Sequence, residues 1–357
     1  MKALGIILIL SFPAVAADFR LFSGPKEVEA SVETLTSDDI TVRSYLLKYS
    51  ETEGPWKAEF GIGLNEYDLD YSPVLFGTNE VLLEKTLLIN LGITRQWSPE
   101  WATTLKLSAY DGYSDYRSIW IAEFYRQFFG GFADYYNPDP HGQSLGASIK
   151  WDYLPGSGRA AISVDFGRDE IAPGWSFNSS TGRPEPGREV LDTISGSLRA
   201  EQALNGWLKT EVELSLRKIT DRDPRFGIRH SWAAVAGPFG FRLTGGYTQE
   251  APSFDALYGT ALVEWKFLPQ WTCHVGCRIY QDSGEIQTSG FNALAPPVDS
   301  TELFAGLHWD NGQVSVSAGV GLLTTDYEPL SQDNEFFGNL YRDRDWATFR
   351  IAASLRF

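Results

Sequence analysis

The sequence predicts an all-β chain, closed into a transmembrane antiparallel up-and-down β-barrel. Three observations carry that prediction. The closing stretch, residues 347–357, alternates strictly: Phe349, Ile351, Ala353, Leu355 and Phe357 share one face, while Thr348, Arg350, Ala352, Ser354 and Arg356 share the other. A period of two marks a strand with one greasy and one wet side, and this one has about the length a tilted strand needs to cross a bilayer. Past the first residues, no run of about 18 apolar residues occurs. Helical spanning is therefore excluded, and closure into a barrel remains as the way to pair every backbone group in lipid. Short turns also alternate with long polar loops along the chain, an asymmetry that a soluble sandwich or propeller has no reason to show.

Residues 1–16 read as a cleavable secretory leader: Lys2 supplies the charge, Leu4 to Phe12 the apolar run, and Ala14-Val15-Ala16 the small-residue cleavage site. The apolar run is about half as long as a spanning helix requires. From 17 to 357 a single barrel domain is expected. Its composition is rich in Gly, Tyr, Phe and Trp, with one Met and two Cys, a mean hydropathy of −0.21 and a net charge of −16. Alternation hides the hydrophobicity of such a chain.

Residues 17–27 show no clear period, and weak strands are expected at 27–35 and 41–50. From Trp56 the signal sharpens: Trp56, Ala58, Phe60, Ile62 and Leu64 alternate with Lys57, Glu59, Gly61, Gly63 and Asn65. An acidic loop holding Asp68 and Asp70 is expected next. Leu87, Ile89, Leu91 and Ile93 form the following apolar face, Ser98-Pro99-Glu100 makes a tight turn, and Trp101 to Tyr110 returns. The unit then recurs. Strands at 145–153 and 160–166 join through Pro155 to Gly158, those at 193–203 and 208–218 through Asn205-Gly206, and those at 228–236 and 239–248 through Gly237-Pro238. Two more hairpins turn at Pro269-Gln270 and at Asp310-Asn311-Gly312. Asn-Gly and related pairs are strong hairpin signals. Longer segments lie between hairpins, at 168–189, 219–226, 249–255, 281–299 and 324–345. Counting back from the last strand, parity gives about sixteen strands, with about fourteen or eighteen as the neighbouring even solutions.

Residues 111–142 are too long for a simple loop and rich in aromatics. Trp120, Phe124 and Phe128 are spaced by four, as on a helix face, whereas Trp120, Ala122 and Phe124 equally suit a strand. A segment folded into the barrel, an outer cap and a further hairpin all fit this pattern.

The period-two faces place charge inward. Lys57 and Glu59 fall on the lumen side of the first clear strand, followed by Lys106, Lys150, Asp152 and Asp165. The next strands add Arg199, Glu201, Lys209, Glu211, Glu213 and Arg217. The last ones contribute Arg242, Glu264, Lys266, Arg278, Glu302, Arg350 and Arg356. Opposed signs interleave, whereas predicted lipid-facing positions carry almost no charge, as a cost of about 2–4 kcal/mol per cation at mid-bilayer demands. About sixteen strands enclose more volume than side chains fill, so a wet lumen is expected, with a sealing salt-bridge network as the alternative.

Trp and Tyr gather near strand ends, for example Trp56, Trp97, Trp101, Trp151, Trp309 and Trp346, as interfacial girdles would. Trp207 and Tyr258 are the inward rings that suit sugar stacking. Cys273 and Cys277 share an apolar strand face about 13 Å apart, too far for a disulfide. His274 points the other way, so no metal site is expected, and no cofactor motif is present. For catalysis, His141 with Ser144 and His230 with Ser231 are the pairs to weigh. The first lies in a predicted loop and the second on opposite faces of a strand, so no enzyme is expected. Acidic loops give no regular calcium spacing, though divalent ions bridging them to lipopolysaccharide fit, and the negative balance argues against nucleic acid.

The closing strand resembles that of bacterial outer-membrane β-barrels. There the resemblance makes Phe349, Ile351, Leu355 and the terminal Phe357 an insertion signal, read by the barrel assembly machinery. It also implies periplasmic short turns and contact with outer-membrane lipid and lipopolysaccharide. Resemblance to general porins implies that Trp120, Phe124, Arg126 and Phe128 belong to an inward constriction. The expected role is passive diffusion of small hydrophilic solutes. A saccharide-specific barrel and a closed barrel presenting acidic loops are the alternatives. Substrate and oligomeric state are not legible.

Overall fold

The computed structural model describes residues 26–113, 115–129, 131, 140–171, 175–178, 183–186, 189–220, 222–251, 254–286, 294–328 and 338–357. The leader at 1–16 and the aromatic stretch 132–139 lie outside them. Along the chain run β1 (Lys26–Thr36), β2 (Ile40–Glu53), β3 (Trp56–Tyr71), β4 (Glu80–Gln96) and β5 (Trp101–Asp111). A helix follows, α1 (Tyr116–Phe129), then β6 (His141–Leu154) and β7 (Gly158–Ile171). A small hairpin, β8 (Trp175–Asn178) with β9 (Arg183–Pro186), leads to β10 (Glu189–Ala203), β11 (Leu208–Ile219), β12 (Arg225–Ala236), β13 (Phe239–Glu250), β14 (Phe254–Leu268) and β15 (Trp271–Asp282). After the short pair β16 (Glu285–Ile286) and β17 (Leu294–Ala295) come β18 (Val298–Asp310), β19 (Val314–Tyr327) and β20 (Arg344–Arg356).

Sixteen of these strands form one closed antiparallel barrel, β1–β7, β10–β15 and β18–β20, each beside its chain neighbour. β1 closes on β20, with Glu27 opposite Arg356 and Thr36 opposite Ala347, and the Phe357 N–H donates to the Lys26 carbonyl at 3.1 Å. The end that holds both chain ends (the near end) joins its strands by short turns, whereas the far end carries the long connections together with a short turn at 37–39; β13 ends at Glu250 and β14 begins at Phe254, so the longer connection expected at 249–255 is short as well. Gly54 (φ 54°) and Gly237 (φ 61°) occupy the left-handed conformation that tight near-end turns require. No helix among the described residues is long and apolar enough to cross a membrane.

Side chains follow the expected alternation. Large apolar groups such as Leu91, Leu105, Ile162, Val275, Phe349, Ile351 and Leu355 are exposed on the outer wall, and Phe357 is exposed at its rim. Cys273 and Cys277 are free thiols on that outer face. Three expectations need correction. Asp68 and Asp70 are not in a loop: β3 runs to Tyr71 and pairs with β4 from Glu80. β5 pairs with β4 only over Leu87–Gln96, so the β3–β4 hairpin rises beyond its neighbour. Its outward Glu66, Asp68 and Lys85 sit at this raised end, away from the apolar belt. Likewise, charge is not confined to loops on the outside, because strands carry it outward near the far end, as at Arg43, Asp192, Asp255, Asp299 and Asp345. Finally, Trp346 is no girdle residue. It faces inward and is buried, its Nε1–H donating to Thr325 Oγ1 at 3.0 Å.

Candidate functional site

A buried apolar cluster lines one sector of the interior. Inward-facing Ile40 and Val42 of β2, Tyr67, Leu69 and Tyr71 of β3, Leu323 of β19 and Trp346 of β20 form one cluster with Tyr116, Ile119, Trp120, Ile121 and Tyr125 of α1. Because these strands flank the β1–β20 closure from both sides, a helix touching them all lies within the concave side of the wall. The segment around 111–142 thus contributes an inward helix, one of the arrangements its spacing allowed. Its start is set by Asp115, whose Oδ1 accepts the Ser118 N–H at 2.7 Å, an N-cap that satisfies one of the helix's orphan donors.

Helix α1 is held by a latch in which residues far apart in sequence converge. Asn339, in the segment before β20, uses its whole amide. Its Oδ1 accepts from the Trp120 Nε1–H (3.1 Å) and the Ser72 N–H (3.2 Å). Its Nδ2 donates to Asp39 Oδ2 (3.2 Å) and to the Asp70 carbonyl (2.6 Å). Asp39, in the turn between β1 and β2, receives a bidentate pair from buried Arg344, Nε at 2.9 Å and Nη2 at 3.0 Å, and a further contact from Arg342 at 3.1 Å. Two parallel N–H···O bonds to a carboxylate are strong and directional. Burial works to raise the Asp39 carboxyl, but Arg344 and then Arg342 overcome it and hold the group below the usual carboxylate range. Neighbouring Tyr116 and Tyr327 hydroxyls lie 3.3 Å apart.

Of the expected constriction residues, Trp120 is buried at 2% exposure and acts as the anchor of α1. Phe124 stacks on it (5.9 Å, 12°) and Phe128 on Phe124 (6.4 Å, 18°), a ladder ending at exposed Phe128. Arg126 pairs with Glu123 on the helix's own surface at 2.5 Å. The charge that α1 turns toward another wall is instead Arg117, which interacts electrostatically with Asp115 beside it and with Asp282 of β15.

Deeper in the barrel, the expected inward charges share the inner wall and are knitted together. Lys57 meets Glu59 (2.8 Å), Lys150 meets Asp152 (3.5 Å), Lys209 meets Glu201 (2.7 Å) and Arg199 meets Glu211 (2.5 Å). Arg278 reaches Glu302 (2.5 Å), Arg350 bridges Glu33 (2.7 Å) and Glu302 (3.7 Å), and Arg356 lies 3.4 Å from both Glu27 and Asp310. Lys106, Asp165, Glu213, Arg217, Arg242, Glu264 and Lys266 occupy the same inward face of their strands. Arg229 was missed, although the alternation from Ile228 puts it inward; it joins Glu211 (3.0 Å) to Glu213 (2.5 Å). Arg225 and Glu250, buried together at 2.9 Å near the far end, were missed as well.

The weighed catalytic pairs are split by the wall. His141 begins β6 on the outer face, 3.6 Å from Glu170, while Ser144 faces inward against Ser108 at 2.5 Å. His230 is outward with Thr210 (2.8 Å), and Ser231 inward with Thr244 (2.9 Å).

No family model matches the sequence, and no curated protein matches it. Solved structures match the whole barrel. This is the fold of the bacterial outer-membrane β-barrels. The chain is similar to a structure described as a bacterial polysaccharide outer membrane secretin, at 9% identity and a TM-score of 0.54, over 93% of this chain and 98% of that one. A deltaS2 mutant of the TodX monoaromatic hydrocarbon channel matches at 9% identity and 0.50, over 94% and 91%. CdiB from Acinetobacter baumannii matches at 10% identity and 0.54, over 93% of this chain but 60% of that longer one.

Proposed function

We propose that this chain spans the outer membrane and is a channel for passive diffusion of small hydrophilic solutes, narrowed at its extracellular mouth by α1. The observation that carries the reading is the coexistence of two interiors. A helix is packed dry against one sector of the wall at the far end, while the charges deeper down are paired yet partly exposed. A barrel sealed for structure alone would bury those pairs. The far end is then extracellular, the near-end turns periplasmic, and the outward charges at the far end lie at the level of lipopolysaccharide headgroups. Residues 1–16 serve export, and Phe349, Ile351, Leu355 and Phe357 serve recognition by the barrel assembly machinery.

A saccharide-specific barrel is the second reading, supported by the hydroxyl side chains described below. The test is single-channel conductance of the refolded protein in planar bilayers, with and without residues 114–138. Steady steps that grow on deletion are expected. Absence of conductance in both forms would leave a closed barrel as the better account.

A further inference from the structure

Read across the barrel rather than along the chain, the register contains an uninterrupted row of hydroxyls. Thr94 of β4 is paired with Thr104 of β5, Thr104 with Ser148 of β6, Ser148 with Ser163 of β7, Ser163 with Ser197 of β10, and Ser197 with Ser215 of β11. All six point inward, and none is buried. Two neighbouring pairs are hydrogen-bonded, Thr94 with Thr104 at 2.9 Å and Ser163 with Ser197 at 2.8 Å. Elsewhere in the described wall the run is shorter, as at Ser231, Thr244 and Thr260, which lead into Arg278 and Glu302.

We propose that this band is a binding track for neutral polyhydroxylated solutes, short linear saccharides above all, an inference that rests on the channel reading. Each hydroxyl both donates and accepts, and its hydrogen rotates to suit its partner. A row of them therefore meets the mixed donor and acceptor groups of a sugar without a desolvated charge. Carboxylates and guanidiniums of the neighbouring wall are engaged in ion pairs with one another, so they offer a sugar less. Strands lie about 4.8 Å apart, so six rungs extend about 24 Å. That spacing is comparable to the repeat of a hexopyranose chain. Because strands in such barrels tilt by about 40°, a row perpendicular to them climbs about 15 Å toward the mouth, about half of the hydrocarbon thickness. The row thus runs partly along the direction of transit. The side chains are also short, which keeps the bore wide where the track passes.

The test uses full-length refolded protein and maltohexaose as the probe, with a polyethylene glycol of matched size as the control. The variant S148A/S163A/S197A/S215A removes both members of the Ser163–Ser197 pair, so it strands no buried partner. S231A/T244A, which likewise removes a bonded pair, tests hydroxyls outside the band. Two readouts are taken: reversible current blockade in planar bilayers, and equilibrium binding of labelled maltohexaose to the protein in detergent. Wild type is expected to give saturable maltohexaose blockades with resolved residence times, and the glycol none. The band variant is expected to keep its open conductance and lose sugar affinity at least tenfold, and S231A/T244A to match wild type. Equal sugar affinity in the band variant, or loss of the same size in S231A/T244A, overturns the track. Conductance without sugar binding overturns the track and leaves the channel standing. Sugar binding that depends on the band, without conductance, upholds the site and overturns the channel.

Discussion

Around the far ends of β1–β3, β19 and β20, the inner wall carries Tyr67, Leu69, Tyr71 and Trp346 and is covered by α1. Along β4–β11 the same inward face carries Thr104, Ser148, Ser163 and Ser197, small and partly exposed. Both regions belong to one barrel with one backbone pattern. What differs is how each satisfies its polar atoms. The covered sector has excluded water, so its polar atoms depend on partners within the protein, and Asn339 and Asp39 supply several of them. On the hydroxyl wall, solvent or solute completes the bonding. Losing one partner should therefore be costly in the first region and cheap in the second.

The largest expected effect is at Arg344. Arg344→Ala leaves the buried Asp39 carboxylate without its bidentate partner, and breaking such a pair costs about 3–5 kcal/mol. Lower thermal stability and frequent, noisy openings to larger conductance are the expected results. A variant as quiet and as stable as wild type would remove the latch from the account. Next comes a control on the opposite side of the wall. Ile351→Arg, outward in the apolar belt, should cost about 2–4 kcal/mol of barrel stability in lipid. Urea unfolding in vesicles measures it, and single-channel behaviour of the folded fraction should not change.

Asn339→Ala is expected to fall below both, at about 1–3 kcal/mol, by stranding the Trp120 indole N–H in a buried interface. Faster protease cleavage within 112–140 reads this out. A milder lever is pH. Asp39 is depressed when folded, so its contribution is complete above the unfolded carboxyl value of about 3.9 and is lost as pH falls from there through the lowered folded value. Openings should thus become more frequent as pH is lowered below about 4. In Asp39→Asn that acid response should be lost, with openings already frequent at pH 7. The smallest effect belongs to the hydroxyl wall: Ser148→Ala should shift stability by no more than about 0.5 kcal/mol.

Much of the barrel was legible because alternation is local. A run such as Phe349, Ile351 and Leu355 against Arg350 and Arg356 declares its two faces without reference to any neighbour, and the inward charges from Lys57 to Arg356 follow from the same count. Asp68 and Asp70 misled because acidic residues read as loop, whereas a strand rising past the belt carries charge outward freely. Trp346 misled because an aromatic near a strand end suits either a girdle or a plug. Arg229 obeys the same period, since it follows outward Ile228.

By itself, then, the sequence determined strands, faces, turns and the class of barrel, because each depends on residues close together in the chain. Tertiary structure decided where α1 lies and what holds it, since Asp39 and Asn339 meet across 300 residues. It also decided that six hydroxyls from six strands stand in one row, because register between strands is a property of pairing, and a slip of one residue would turn each of them to the lipid.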